Sequence, residues 1–293
     1  MIDSVFAIWE NIIFFAMPLW LMGLGLLLCQ RVGLLQWGIE GVSLASGALM
    51  YAMFVSADGL DMIWYGLWLA SLLGMVLGMV YFILLRWMMV NQLTSGMAVF
   101  FLGVAIAYMM KSSGAIDRDY YLVLPVWFQY IAPYMLGSLL LLLGMFLQKT
   151  KWGMVLRGVG DEPIALNRLY VIRLWQFLVN GLGMMLVGLA GGLLQLVSQS
   201  SMLKPIFVKN NLFDEGSSTM GGLGFLCLLM VAVAAWSPYI LLPLGILLAG
   251  IILYGGWLIA YGVLLLLLIF LLARRDFFNT HAPETWRNFF MPK

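Results

Sequence analysis

"GLLQWGIEGVSLASGALM" (residues 33–50) carries one formal charge, Glu40, in an otherwise uncharged run. At 1.5 Å per residue, a helix of this length nearly crosses the ~30 Å hydrocarbon core of a bilayer. The stretch therefore reads as part of a membrane span. A charge at mid-bilayer costs roughly 2.5–3.5 kcal/mol on insertion scales, so Glu40 needs a reason to be there.

The rest of the chain repeats the pattern. Of its 293 residues, 64% are hydrophobic and 10% charged, whereas a soluble domain is about 25% charged. Apolar runs long enough for spanning helices follow one another, without the short alternating segments of a transmembrane barrel. The expected fold is all-α, a polytopic transmembrane bundle of about nine spans (eight to ten). They are 12–29, 33–56, 63–88, 93–110, 131–148, 174–198, 221–236, 239–254 and 257–273. Gly255-Gly256 divides the last apolar block. Residues 1–273 read as one transmembrane domain, and 274–293 as a basic, aromatic tail that suits the inner headgroups.

Charge gives the orientation. Arg31, Arg86, five cations in 149–173 (Lys149, Lys151, Arg157, Arg168, Arg173) and four in the tail (Arg274, Arg275, Arg287, Lys293) fall on one side. Only Lys111, Arg118, Lys204 and Lys209 fall on the other. Lys and Arg collect in cytoplasmic loops, so the N-terminus is expected outside and the C-terminus in the cytoplasm. The acidic front of the chain does not read as a cleaved signal peptide. Cys29 and Cys227 sit in apolar runs without a CxxC spacing, which argues against a disulfide or a metal site. Two outer connections, 111–134 and 200–219, are ordinary loops or surfaces for an outside partner, and the first has room for a short interfacial helix. Gly74 with Gly78, and Gly188 with Gly192, recur at four-residue spacing, which lets helix backbones approach.

The inside stretch "KTKWGMVLRGVGDEPIALNRLYVIR" (149–173) is the longest internal connection. Gly158-Val159-Gly160 is expected to break the chain. A short amphipathic helix over about 162–171 is then expected to begin, with Asp161 or Glu162 capping and Pro163 in the first turn. Such a helix either lies on lipid headgroups or docks into a soluble partner.

Four motifs now carry a resemblance. In 153–196, Gly153, Leu156, Arg157, Val159, Gly160, Pro163 and Ala165, with "GLAGG" at 188–192, are similar to a G-x-x-L-R-A-V-G-x-N-P-x-A-A signature and the small-residue run that follows it. The chain resembles permease subunits of ABC importers, in the branched-chain amino acid, simple sugar and nucleoside permease family. "QWGIEG" (36–41) is similar to the N-I-G-x-E-G form of the nucleoside and simple-sugar branch. "VNQLTSGMAVFFL" (90–102) and "GGLGFLCLLMVAVAAWSPY" (221–239) resemble two further signatures of that branch. There are departures: Gln36-Trp37 replace Asn-Ile, Gln92 replaces Glu, Leu223 replaces Arg, and Ala234-Ala235 precede Trp236.

The resemblance implies that 1–273 is a permease domain and that 149–173 couples it to a cytoplasmic ABC ATPase. The implied coupling residues are Gly153, Leu156, Arg157, Gly160, Asp161, Glu162, Pro163, Ile164, Ala165 and Arg168. It also implies a second permease subunit, identical or paralogous, and an extracytoplasmic solute-binding protein. ATP and Mg belong to the ATPase. This chain has no Walker A loop and needs no cofactor of its own. The setting implied is the inner membrane of a prokaryote, with membrane lipids as the other partner and no nucleic acid.

Polar groups at membrane depth face the bundle interior or a wet cavity. The candidates for the solute pathway are Gln36, Trp37, Glu40, Asn91, Gln92, Thr94 and Ser95. Asn91 to Ser95 equally suit a helix junction. Glu40 either touches the solute or bonds a neighbouring helix as a brace. Counted as eight helical residues from the inner end it lies about 12 Å deep, short of the midplane, which favours the brace. Two other classes stay open: an ion- or proton-coupled transporter using Glu40, and a membrane-embedded enzyme. The enzyme lacks the clustered acids, His or Cys that it needs, since His281 lies in the tail and Glu40 stands alone in its span. The G-x-E-G form leans toward a nucleoside or purine-like solute, or a simple sugar.

Overall fold

The computed structural model describes residues 2–56, 61–110, 124–161, 169–201, 203 and 222–273. The described chain is built of helices, with no sheet. In order they are α1 (Ile2–Arg31), α2 (Ile39–Ser56), α3 (Asp61–Arg86), α4 (Gln92–Met110), α5 (Val126–Tyr130), α6 (Ala132–Lys149), α7 (Lys151–Asp161), α8 (Leu169–Gln199), α9 (Leu223–Val233), α10 (Pro238–Gly255) and α11 (Trp257–Ala273).

Six of these are long and apolar enough to cross a membrane: Phe6–Arg31, Met62–Arg86, Gln92–Met110, Ala132–Lys149, Ile172–Gln199 and Pro238–Gly255. The other three segments expected as spans contain shorter apolar helices, Ile39–Met53, Leu223–Val233 and Leu258–Ile269. The division at Gly255-Gly256 is observed: α10 ends on Gly255, and Gly256 has φ +89°.

Two segments differ from the sequence expectation. The span expected over 33–56 is helical only from Ile39, because 32–38 forms a turn and a short extended run. Gly158-Val159-Gly160 does not break the chain and lies inside α7. Glycine weakens a helix by only about 1 kcal/mol, and here Gly160 is needed for contact: a β-carbon on it would strike the Arg31 carbonyl. The helix expected at 162–171 falls largely outside the described residues, and its last residues, from Leu169, belong to α8.

The bundle is organised around α1, which is almost wholly enclosed from Ile13 to Gln30, packing against α8 on one side and α9, α10 and α6 on others. Helix α8 also packs extensively against α2 and α3. Burial of an apolar helix does not by itself drive association in lipid, where packing and hydrogen bonds must do so. Small residues supply the close packing. Gly74 lies against Gly188, Gly25 against Gly183, and Gly191 against the Ser43 backbone. Gly78 accommodates Met184, and Gly192 fits beside Ala70 and Leu67.

At one end of α1, Arg31 Nη2 donates to the Trp236 carbonyl (2.7 Å), while Trp236 Nε1 donates to Gln30 Oε1 (2.5 Å). These bonds hold the α9–α10 connection, where Ala235 and Trp236 both have left-handed backbone (φ +53° and +54°). For an L-residue that conformation costs roughly 1–2 kcal/mol. At the opposite end Trp127 of α5 stacks on Trp64 of α3 (5.7 Å, 9°), and Phe128 packs on both Trp64 and Phe14 of α1. Thus a short helix does occupy the end of the aromatic-rich connection 111–134. Replacing Ala235 with glycine removes the left-handed penalty and is expected to stabilise the protein by about 1 kcal/mol, read as a raised midpoint of thermal unfolding in detergent.

Candidate functional site

Residues 32–38 are irregular backbone, mostly buried, toward one end of an apolar bundle. Unpaired N–H and C=O groups are costly there, and such a segment survives only where protein satisfies it. Side chains from three helices do so. Gln176 of α8 donates Nε2 to the Val32 carbonyl (2.9 Å). Gln92 of α4 donates Nε2 to the Gly33 carbonyl and accepts the Leu35 N–H, both at 3.3 Å. The Tyr81 hydroxyl of α3 donates to the Leu35 carbonyl (2.8 Å). Gln36, fully buried, donates Nε2 to Asn180 Oδ1, and Asn180 Nδ2 donates to the Gly78 carbonyl (2.7 Å).

Glu40 sits in the first turn of α2, only 3% exposed. Its Oε1 accepts the Gly222 N–H (2.5 Å) and its Oε2 the Gly224 N–H (2.6 Å). The Phe225 amide also acts on it. These are the free N–H groups at the start of α9. The N-cap residue of α9 is Gly222, at φ +94°, which has no side chain to cap with. Glu40 therefore caps α9 from another helix, with its negative group at the positive end of the helix dipole. The fit requires Gly224, since a β-carbon there would lie 2.7 Å from Oε2. The Tyr261 hydroxyl of α11 donates to the Gly222 carbonyl and completes the junction.

The glycine contacts give the level of Glu40 in the bundle. Gly38 packs against Gly96 and Val99, and Gly41 against the backbone of Phe100 and Gly103. These residues are the middle of α4 (92–110). Glu40 is thus level with Phe100, about eight residues or 12 Å along α4 from Gln92, the residue that holds Gly33 and Leu35. Helix α9, eleven residues and about 16 Å long, runs from this level to the Trp236 end and covers only part of the bundle's depth.

The other pathway candidates divide. Trp37 is half-buried against Gly96. Asn91 is exposed, its Oδ1 accepting the Leu93 N–H (3.4 Å) at the start of α4, and Thr94 is exposed beside it. Ser95 is fully buried, one turn from Gln92. Ser95 Oγ and Gln36 Oε1 are buried with no hydrogen-bond partner among the described residues. Among the coupling candidates, Gly153 packs on the Leu147 backbone, and Leu156 and Gly160 also face the bundle. Arg157 is half-buried and donates Nη2 to the Gln148 carbonyl (3.2 Å). The exposed face of α7 carries Lys151, Trp152 and Met154. The side chain of Asp161 is not described, and Glu162, Pro163, Ile164, Ala165 and Arg168 lie outside the described residues, as does the tail 274–293 with His281. Cys29 and Cys227 are buried free thiols, and no group of metal-ligating side chains occurs among the described residues.

Sequence reading missed Gln176, Asn180, Tyr81 and Tyr261. For the first two a signal existed: amide side chains four residues apart in an apolar run share a helix face, and at membrane depth they demand partners.

A helical bundle with several spanning-length apolar helices and a buried, internally paired polar junction is a multi-pass membrane protein. Residues 8–214 match the family described as branched-chain amino acid transport system / permease component, and the chain belongs to that family. No curated protein matches the chain at a significant level, and no solved structure does.

Glu40→Ala is expected to leave two amides of α9 uncapped and to cost about 1.5–3 kcal/mol per charge-assisted bond lost. Glu40→Gln turns one NH2 donor toward an N–H and is expected to cost less than Ala but more than 1 kcal/mol. Thermal unfolding of the two variants in detergent measures both.

Proposed function

We propose that the chain is the solute-conducting permease subunit of an ABC importer in the inner membrane of a prokaryote. The observation that carries this reading is the family match over 8–214. In it the nine apolar helices form nine crossings, the short ones spanning together with the irregular segments that precede them, with the N-terminus outside and the C-terminus cytoplasmic. The distribution of Lys and Arg supports that orientation. Energy comes from a separate cytoplasmic ATPase, which uses ATP and Mg. A second permease subunit, identical or paralogous, completes the pathway, and an extracytoplasmic binding protein delivers the solute. A nucleoside, purine-like compound or simple sugar is the solute favoured by the G-x-E-G motif at 38–41.

Within this reading the geometry supports some candidate residues over others. Glu40 is the brace that fixes α9, since both of its oxygens are already engaged by backbone amides. That arrangement supports the permease over a proton-coupled transporter with Glu40 as the proton site. Gln36 and Ser95, which keep buried polar atoms without hydrogen-bond partners among the described residues, are the better candidates for solute contact. The inward packing of Gly153, Leu156 and Gly160 favours 161–168 as the ATPase surface. Alternating access then follows from a push on that surface tilting α6 and α8 as rigid bodies.

Reconstituted alone, the chain is expected to show no uptake of labelled adenosine or ribose in a proton or sodium gradient. Uptake should need the ATPase, the binding protein and ATP-Mg; gradient-driven uptake by the lone chain overturns the proposal. Ala165→Asp and Arg168→Glu are each expected to reduce ATPase co-purification at least tenfold while leaving insertion and thermal unfolding unchanged. Undiminished co-purification with both variants refutes the placement of the coupling surface.

A further inference from the structure

The end of α3 and the start of α8 bring together two cations. Arg86 Nη2 donates to Gln176 Oε1 (2.6 Å), which fixes its guanidinium against the first turns of α8. Arg173 precedes Gln176 by three residues, a spacing that makes them neighbours on the helix surface. Arg173 is exposed and acts electrostatically on Arg86, and no carboxylate is among the described groups that do so. Arg86 Nε is buried and has no hydrogen-bond partner among the described residues. Two adjacent guanidinium groups repel each other, and an anion between them reverses the sign of the interaction.

Beside this pair the surface turns apolar. Leu174, Leu178 and Leu182 recur every fourth residue and are each about half exposed (46%, 48% and 57%). They form a line along α8 that runs about 12 Å from the arginine end toward the middle of the bundle. On its far flank Trp175 packs against Trp152 of α7 (5.4 Å), and Trp87 is exposed next to Arg86. Tryptophans at the ends of apolar helices mark the headgroup level of a membrane.

We propose that this surface is a binding site for an anionic phospholipid. The phosphate lies between Arg86 and Arg173, where guanidinium N–H groups match phosphate oxygens in pairs, and one acyl chain lies along the leucine line. The apolar line selects a lipid over a free anion, and the two cations select an anionic headgroup over a zwitterionic one.

Native mass spectrometry of the delipidated full chain, titrated with phosphatidylglycerol and with phosphatidylcholine, tests the assignment. The wild type is expected to bind phosphatidylglycerol more tightly. Arg173→Gln, at an exposed position that folding does not require, is expected to weaken that binding about fivefold, the effect of one cation at an anionic surface. Phosphatidylcholine binding should not change, and Arg173→Lys should restore most of the loss. Equal affinity for the two lipids, or no change in Arg173→Gln, overturns the proposal. Displacement of phosphatidylglycerol by equimolar inorganic phosphate makes this a free-anion site and also overturns it. So does loss of ATPase co-purification in Arg173→Gln with lipid binding intact, which makes the pair a protein-docking site.

Discussion

A broken helix inside an apolar bundle must have its backbone groups satisfied, and that demand shapes the junction around residues 32–40 of this protein. Residues 32–38 leave helical geometry between two long apolar helices, so carbonyls and amides lose their usual partners. Gln92, Gln176 and Tyr81 supply the missing bonds from three different helices. The same demand arises at the start of α9, and Glu40 meets it. In both places a polar side chain that looks costly in a membrane is the cheaper alternative to an orphaned peptide group. The two repairs share a helix, because the loop that Gln92 holds leads directly into the turn that carries Glu40.

That coupling explains how three separated motifs act as one unit. The Gly38-Ile39-Glu40-Gly41 turn, the start of α4 from Gln92 to Gly96, and the Gly222-Leu223-Gly224 start of α9 meet around Glu40 and Trp37. The glycines allow backbones to touch, while Glu40 and Gln92 make the bonds that such closeness permits. Neither half works without the other: a side chain at Gly224 displaces the carboxylate, and without the carboxylate α9 begins with free amides.

Much of this was legible in the sequence. Hydrophobic run lengths identified helices in all nine regions, since an apolar run of that length in so uncharged a chain has few other folds. Glu40 stood out because charge in such a run is expensive, and its role as a brace was one of two readings of that cost. Two features were not legible. The non-helical turn at 33–38 has the same apolar composition as a helix, and periodicity cannot show a break in a uniformly apolar run. Composition also overstated the breaking power of Gly158 and Gly160, because the contact of Gly160 with Arg31 is a tertiary fact. Which amides Glu40 would cap depended on a partner 182 residues away along the chain, a distance across which local spacing says nothing.

The enclosure of α1 has a consequence for biogenesis. This helix emerges from the ribosome before every helix that surrounds it, so it must first rest in lipid or beside the insertion machinery. Its final neighbours include α9 and α10, and its Gln30 and Arg31 hold the turn at Trp236, more than 200 residues later. The bundle therefore closes around α1 only after α9 and α10 have been made. Until then the polar end of α1 waits for a partner that does not yet exist.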